Sequence, residues 1–155
     1  MNERERLIQE LVESRQSLHY VLDDLDSHLE IYPDWTVREL LAHLTGWDDA
    51  VVASLRAHVA GRVPAAPAVR GVNHYNEQSV AEREALDLEH VRHECELSRQ
   101  LLITILHEMP DEKFIQPLIM PWGETGTVTE LVQVFIHHEK EHAREIRQRY
   151  LSHVG

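Results

Sequence analysis

Cysteine is nearly absent from this chain: Cys95 is the single one among 155 residues. One thiol excludes an intrachain disulfide and fits a reducing, cytoplasmic setting. Basic charge is also scarce. Fifteen Lys and Arg stand against 27 Asp and Glu, for a formal net charge of −12. Non-specific nucleic-acid binding depends on cationic side chains, so no nucleic-acid partner is expected. Long apolar runs are missing: the stretch from Leu101 to Leu106 is interrupted by Thr104 and is far too short to span a bilayer. The charged start, MNERERL, lacks the apolar core of a signal peptide, so no membrane partner is expected. Strand-like alternation, internal repeats and low-complexity tracts are absent as well, which leaves helices in a single domain over residues 1–155.

Helical periodicity is what remains, and it is strong. Leu7, Leu11, Leu18, Val21, Leu22, Leu25 and Leu29 recur mostly every three or four residues and stop near Tyr32-Pro33. Thr36 with Glu39 forms a capping-box pattern that opens a second helix running to about Gly61, with Leu40, Leu44, Trp47, Val51, Leu55 and Val59 on one stripe. A Pro/Gly/Ala connector and a less regular helical piece through Tyr75 and Val80 follow. A third long helix covers about Leu88 to Met109 and carries Cys95 in the series Val91, Cys95, Ser98, Leu102, Ile105, as core filler. Glu94 and Glu96 are expected to raise the Cys95 pKa, against a nucleophilic role. After a Pro- and Gly-containing connector, a fourth helix runs from Val128 to about Leu151. Four such amphipathic helices pack most economically as an all-α four-helix bundle, with a long crossover between helices 2 and 3.

The chemistry-bearing motif is HEKEH, His138 to His142, of the HExxH form. With 12 His in the chain, about one pair four residues apart arises by chance, so spacing alone proves little. The series Leu131, Phe135, His138, His142, Ile146 nevertheless steps along one helix face, and this predicts that both imidazoles turn inward. Inward histidines need partners, and a metal needs a further ligand. On helix 2, His43 borders the stripe between Leu40 and Trp47 and meets that demand. His19, His28, His58, His74, His90, His93, His107 and His153 are expected to be ordinary surface histidines.

WTVRELLAHLTGWDDAV (35–51), the HYNEQSV segment with Tyr75 and Asn76, and PWGETGTVTELVQVFIHHEKEHAREI together resemble the DinB-like (YfiT-like) family, in order and over nearly the whole chain. The resemblance implies a four-helix bundle in which His43, His138 and His142 bind one divalent metal, zinc or nickel, and it implies a homodimer. It also implies a relation to thiol-dependent transferases and isomerases and to a hydrolase.

Three neutral imidazoles would leave coordination positions open, the layout of a catalytic site. The expected function is therefore activation of a low-molecular-weight thiol, or of water, for attack on a small electrophilic substrate. The enzyme would be a metal-dependent thiol transferase or hydrolase. Glu139 is a candidate general base; the alternative is an ordinary solvent-facing Glu. Trp47 is a candidate pocket wall or core residue, and Tyr75 and Asn76 are candidates for the mouth of the site. A non-enzymatic metal-binding bundle is the main alternative. A zincin protease lacks its downstream ligands, since Glu145 and Gln148 stand where Gly and His are required. A ferritin-like di-iron site lacks a well-placed second Glu-x-x-His.

Overall fold

The structure, a computed structural model, describes residues 1–151. His153, expected on the surface, lies outside them. Four long helices form the bundle: α1 (Glu3–Asp23), α2 (Val37–Val59), α4 (Leu88–Glu108) and α6 (Val128–Ile146). The crossover between α2 and α4 carries α3 (Val72–Ala81). The later connector holds α5 (Asp111–Ile115) and a minimal hairpin, β1 (Leu118–Ile119) with β2 (Thr125–Gly126), paired Leu118 to Gly126 and Ile119 to Thr125. No helix among the described residues is long and apolar enough to cross a membrane.

Local chemistry sets the helix starts. The Glu39 carboxylate accepts from the Thr36 N–H at 2.9 Å and from its hydroxyl at 2.7 Å. Asp87 accepts from the His90 N–H, and Thr127 from the Glu130 N–H. The first helix ends at Asp23, well short of the expected Tyr32-Pro33 stop. In the run Asp23-Asp24-Leu25-Asp26-Ser27, short polar side chains compete for the backbone: Asp26 accepts from the His28 N–H at 2.7 Å. Leu25 and Leu29 still pack on the core, but from turns. The last helix leaves α geometry after Ile146 and finishes as a π-helical turn, Arg147–Leu151.

The long helices pair α1 with α6 and α2 with α4. Two apolar clusters fill the interior. One gathers Leu7, Leu11, Val51, Leu55, Leu102 and Leu131; the other gathers Leu18, Leu22, Leu40, Leu44, Cys95 and Ile146. A layer of buried charge separates them, with contributions from every long helix: Ser14 and Arg15 of α1, Asp48 of α2, Ser98 and Arg99 of α4, and Glu139 of α6. Arg15 donates to Glu139 Oε1 at 2.7 Å and to Asp48 at 3.1 Å. Arg99 donates to Asp48 at 3.0 Å and to both oxygens of Glu139. Ser14 and Ser98 bond the remaining carboxylate positions at 2.9 and 3.0 Å. Two cations and two anions thus balance inside the core, where an unpaired charge would be costly.

Cys95 is fully buried, and burial raises its pKa ahead of any neighbouring charge. It is core filler, as expected. His58 corrects its expectation. It is 6% exposed, and its Nε2 lies 2.7 Å from the Lys113 carbonyl, which ties α2 to α5.

Candidate metal centre

The buried stripe of α6 runs through Phe135, Glu139, Ala143 and Ile146. His138 and His142 sit on its flank, half-buried, facing α2. The expectation that the two histidines continue the core stripe is therefore shifted by one residue: Glu139 takes the inward position. On α2, His43 is 3% exposed and faces the pair. The three rings converge through one kind of atom. His43 Nε2 lies 3.4 Å from His138 Nε2, and His142 Nε2 lies 2.9 Å from the same atom. One ligand atom from each residue fits within a 4.8 Å span, so the trio can hold a metal ion. Two imidazole nitrogens bound to one tetrahedral zinc would sit about 3.3 Å apart, given Zn–N distances of about 2.0–2.1 Å. These two separations bracket that value.

Electrostatics favour the ligating form. Burial, and then the neighbouring His138 and His142, pull the His43 pKa down to about 3. Burial and His138 bring His142 to about 4. Burial also lowers His138, against the opposing pull of Glu139 and Glu145. All three rings are neutral at neutral pH and keep a lone pair for a cation.

A histidine ligand is oriented best when its other ring nitrogen is held by a carboxylate, directly or through a bridging group. The structure supplies it through Tyr32. The Tyr32 hydroxyl lies 2.7 Å from His142 Nδ1 and donates to Glu145 Oε2 at 3.1 Å. Its pKa is raised by burial and by Glu145, so it stays a phenol. A phenol donating to Glu145 accepts from His142 Nδ1–H, and this directs the lone pair of Nε2 at the other two histidines. Tyr32 reaches this position through the Tyr32-Pro33-Asp34-Trp35 turn, in which Asp34 has φ 67° and donates its N–H to Glu30. The same turn sets Trp35 against His43, with ring centroids 5.1 Å apart. Tyr32→Phe is expected to weaken zinc affinity by about 10–100-fold with the fold intact, the usual effect of losing an outer-shell partner. Isothermal titration with circular dichroism checks this; an affinity unchanged within about twofold would remove the relay from the site.

Glu139 is corrected on both counts. It is 1% exposed and so is not solvent-facing. Both of its oxygens are held by Arg15, Arg99 and Ser14. Burial pushes its pKa up, but the two guanidiniums outweigh this and hold it below the usual carboxylate range. A carboxylate so engaged has no free lone pair facing the histidines and cannot serve as the base of a zincin or as a bridging di-iron ligand. The helix periodicity admits this inward position without selecting it. Arg15 falls between Leu11 and Leu18, Asp48 between Leu44 and Val51, and Glu139 between Phe135 and Ala143, all at core spacing.

Beside His43 and His138 opens a pocket of about 470 Å³, walled by Trp47, Trp122, Phe135, Val72 and Val134. Trp47 meets both roles considered for it: it is 4% exposed and part of the core, and one of its faces lines the pocket. Asn76 lines it as well and accepts from Trp47 Nε1 at 2.6 Å. Tyr75 does not line it. It packs behind Trp47 at 4.5 Å between ring centroids and donates to the Gly46 carbonyl at 2.6 Å. That bond pins α3 to α2 where Gly46 lets the helices touch; a Cβ there would lie 2.2 Å from Ser79 Oγ. Glu141 and Trp122 were not singled out by sequence reasoning, and both line the pocket, as does His137, which helical geometry turns about 100° away from His138.

Comparison with known proteins places the fold. A family model described as the mycothiol maleylpyruvate isomerase N-terminal domain matches residues 10–139, which include His43 and His138 and end just short of His142. No curated protein sequence matches the chain. The crystal structure of the mycothiol-dependent maleylpyruvate isomerase superposes with a TM-score of 0.77 at 14% identity over 94% of this chain. A histidine-to-alanine mutant of that enzyme superposes with a TM-score of 0.76 at the same identity. This chain spans 61% of the length of each, and at such identity the likeness establishes the fold alone.

Proposed function

We propose a function from one premise: the chain belongs to the mycothiol maleylpyruvate isomerase N-terminal domain family, within the DinB/YfiT-like superfamily. His43, His138 and His142 hold one divalent metal, zinc or nickel, and the protein is a metal-dependent enzyme that joins a low-molecular-weight thiol to a small electrophile. The observation that carries this reading is the convergence of three Nε2 atoms, two of them on histidines, His43 and His138, that line an apolar pocket.

A divalent metal bound there would supply Lewis acidity, which favours thiolate or hydroxide at neutral pH. The protein's own residues do the rest. Tyr32 and Glu145 keep the proton of His142 on Nδ1. Trp47, Trp122 and Phe135 wall the approach to His43 and His138 with apolar surface. His137 and Glu141, at the rim of the same pocket, are the titratable groups placed to pass a proton to solvent. In the transfer the thiol S–H gives up its proton, the sulfur forms a C–S bond at an electrophilic carbon, and the displaced electron pair departs with the leaving group or shifts along a conjugated system. Homodimerisation belongs to the same proposal, by likeness to the family.

The test is turnover by protein purified without a His-tag, zinc- or nickel-loaded against chelated, across a panel of thiols that includes mycothiol, with small electrophiles. At least about a hundredfold loss of rate on chelation is expected, because the uncatalysed thiol is mostly protonated and unoriented. Absence of metal-dependent turnover across the panel would leave a non-enzymatic metal-binding bundle. Thiol-independent turnover would transfer the nucleophile's role to water.

A further inference from the structure

We infer that the organic substrate of this site is an uncharged molecule with an aromatic or similarly flat apolar body, not a di- or polyanion. The inference rests on the functional reading above and names its substrate class.

The pocket walls carry the argument. Trp47, Trp122 and Phe135 form a continuous aromatic surface: Trp47 lies 5.5 Å from Phe135 and 6.5 Å from Trp122, and Trp122 lies 6.2 Å from Phe135, with rings inclined by 41–64°. Val72 and Val134 complete the wall and are 48% and 44% exposed, so the pocket opens to solvent on an apolar side. Aromatic surfaces of this kind bind flat apolar rings by edge and face contacts. A volume of about 470 Å³ holds a small bicyclic molecule.

Charge decides what the pocket refuses. Among the described residues that line it there is no Lys and no Arg, and the carboxylate present is Glu141. The Arg144 guanidinium, one turn further along α6, is tied to Glu141 at 2.7 Å and to Gln148 at 3.2 Å. Asn76, the polar lining side chain from α3, has its carbonyl oxygen engaged by Trp47. A divalent metal on the histidines would receive one substrate carboxylate; a second would enter this pocket with no guanidinium to receive it and with a like charge at the rim, an unfavourable transfer. An uncharged ring meets no such cost.

Two fluorescent probes of nearly one shape separate the cases: neutral N-phenylnaphthylamine and its sulfonated analogue, anilinonaphthalene sulfonate. Each is titrated into chelated and into zinc-loaded protein, with maleate as a dicarboxylate competitor and with zinc binding measured in parallel. The neutral probe is expected to bind at one site at least about tenfold tighter than the sulfonate in the chelated protein, and maleate is not expected to displace it. Trp122→Ala should weaken the neutral probe, and Val134→Lys, at a half-exposed position, should reverse the preference. A sulfonate that binds as tightly as the neutral probe, displacement by maleate, or probe binding indifferent to both substitutions overturns the inference. Zinc binding with the sulfonate preferred would sink the substrate class and leave the metal-dependent function standing. A selective neutral pocket without any zinc site would do the reverse.

Discussion

Replacing His43 by alanine is expected to lower zinc affinity by about 10²–10³-fold and to abolish metal-dependent turnover, with little loss of helix content. Zinc sites built from side chains are worth about 10–16 kcal/mol in all, so one ligand in a small set carries about 3–4 kcal/mol of that. His43 supplies its Nε2 to the trio from a helix far from HEKEH in sequence, and it is the most buried of the three. Its substitution tests the three-dimensional site in a way that changes within the HEKEH turn do not. The apo fold should tolerate the change. His43 is not part of the charged layer, and with a pKa drawn down to about 3 it is neutral at neutral pH, so its removal unbalances no buried charge. Zinc titration of His43→Ala and of His43→Ala with His142→Ala, each with thermal unfolding, decides the matter. Retention of one tight site in the double variant would place the metal elsewhere.

Glu139→Ala is expected to have the largest effect on stability, a loss of about 3–5 kcal/mol, because it strands Arg15 and Arg99 in the core with one carboxylate between them. Against a typical domain stability of about 5–15 kcal/mol, this is enough to leave much of the protein unfolded at physiological temperature. Denaturant unfolding measures it. Glu139→Gln keeps the shape and some hydrogen bonds and should lose less. The pair also separates structure from catalysis. If Glu139 were the base, Glu139→Gln would remain stable and lose turnover. The structure predicts that its turnover, per folded molecule with metal bound, stays within about threefold of the parent, since it touches no reacting atom. A loss of less than about 1 kcal/mol in Glu139→Ala would mean that the charged layer contributes little beyond what surface pairs do.

The sequence made the bundle legible because its four long helices announce themselves by period and cap. Thr36 with Glu39 and Thr127 with Glu130 start helices where expected, and Leu88 and Met109 mark α4 to within a residue. Bringing His43, His138 and His142 together was legible too, since a bundle core demands a partner at matching height. What escaped was the one-residue difference between a stripe and its flank. His138 and Glu139 are both compatible with the Leu131–Ile146 periodicity, and only the charges offered by α1, α2 and α4 decide which of them turns in. Helical period cannot report that, because the decision lies on other segments. The early end of α1 escaped for a local reason: Leu25 and Leu29 keep an apolar rhythm after the aspartates have broken the helix. Tyr32 was hidden by the same error, since its role depends on a turn that a longer helix would not form.

The attachment of α3 to α2 divides the molecule into a permanent part and an exchangeable one. The histidine trio and the charged layer belong to the four long helices. Val72 and Asn76 belong to a short helix clipped on through Gly46, Ser79 and Tyr75. Substitution in the crossover, at Val72 above all, can therefore reshape the pocket while α2 and α6 go on carrying the histidine trio. Descendants of one bundle could change what they act on by editing that linker alone. The crossover is the segment where relatives with different substrates should differ most, and Gly46, with no room for a Cβ against Ser79, is the contact point that any such exchange has to respect.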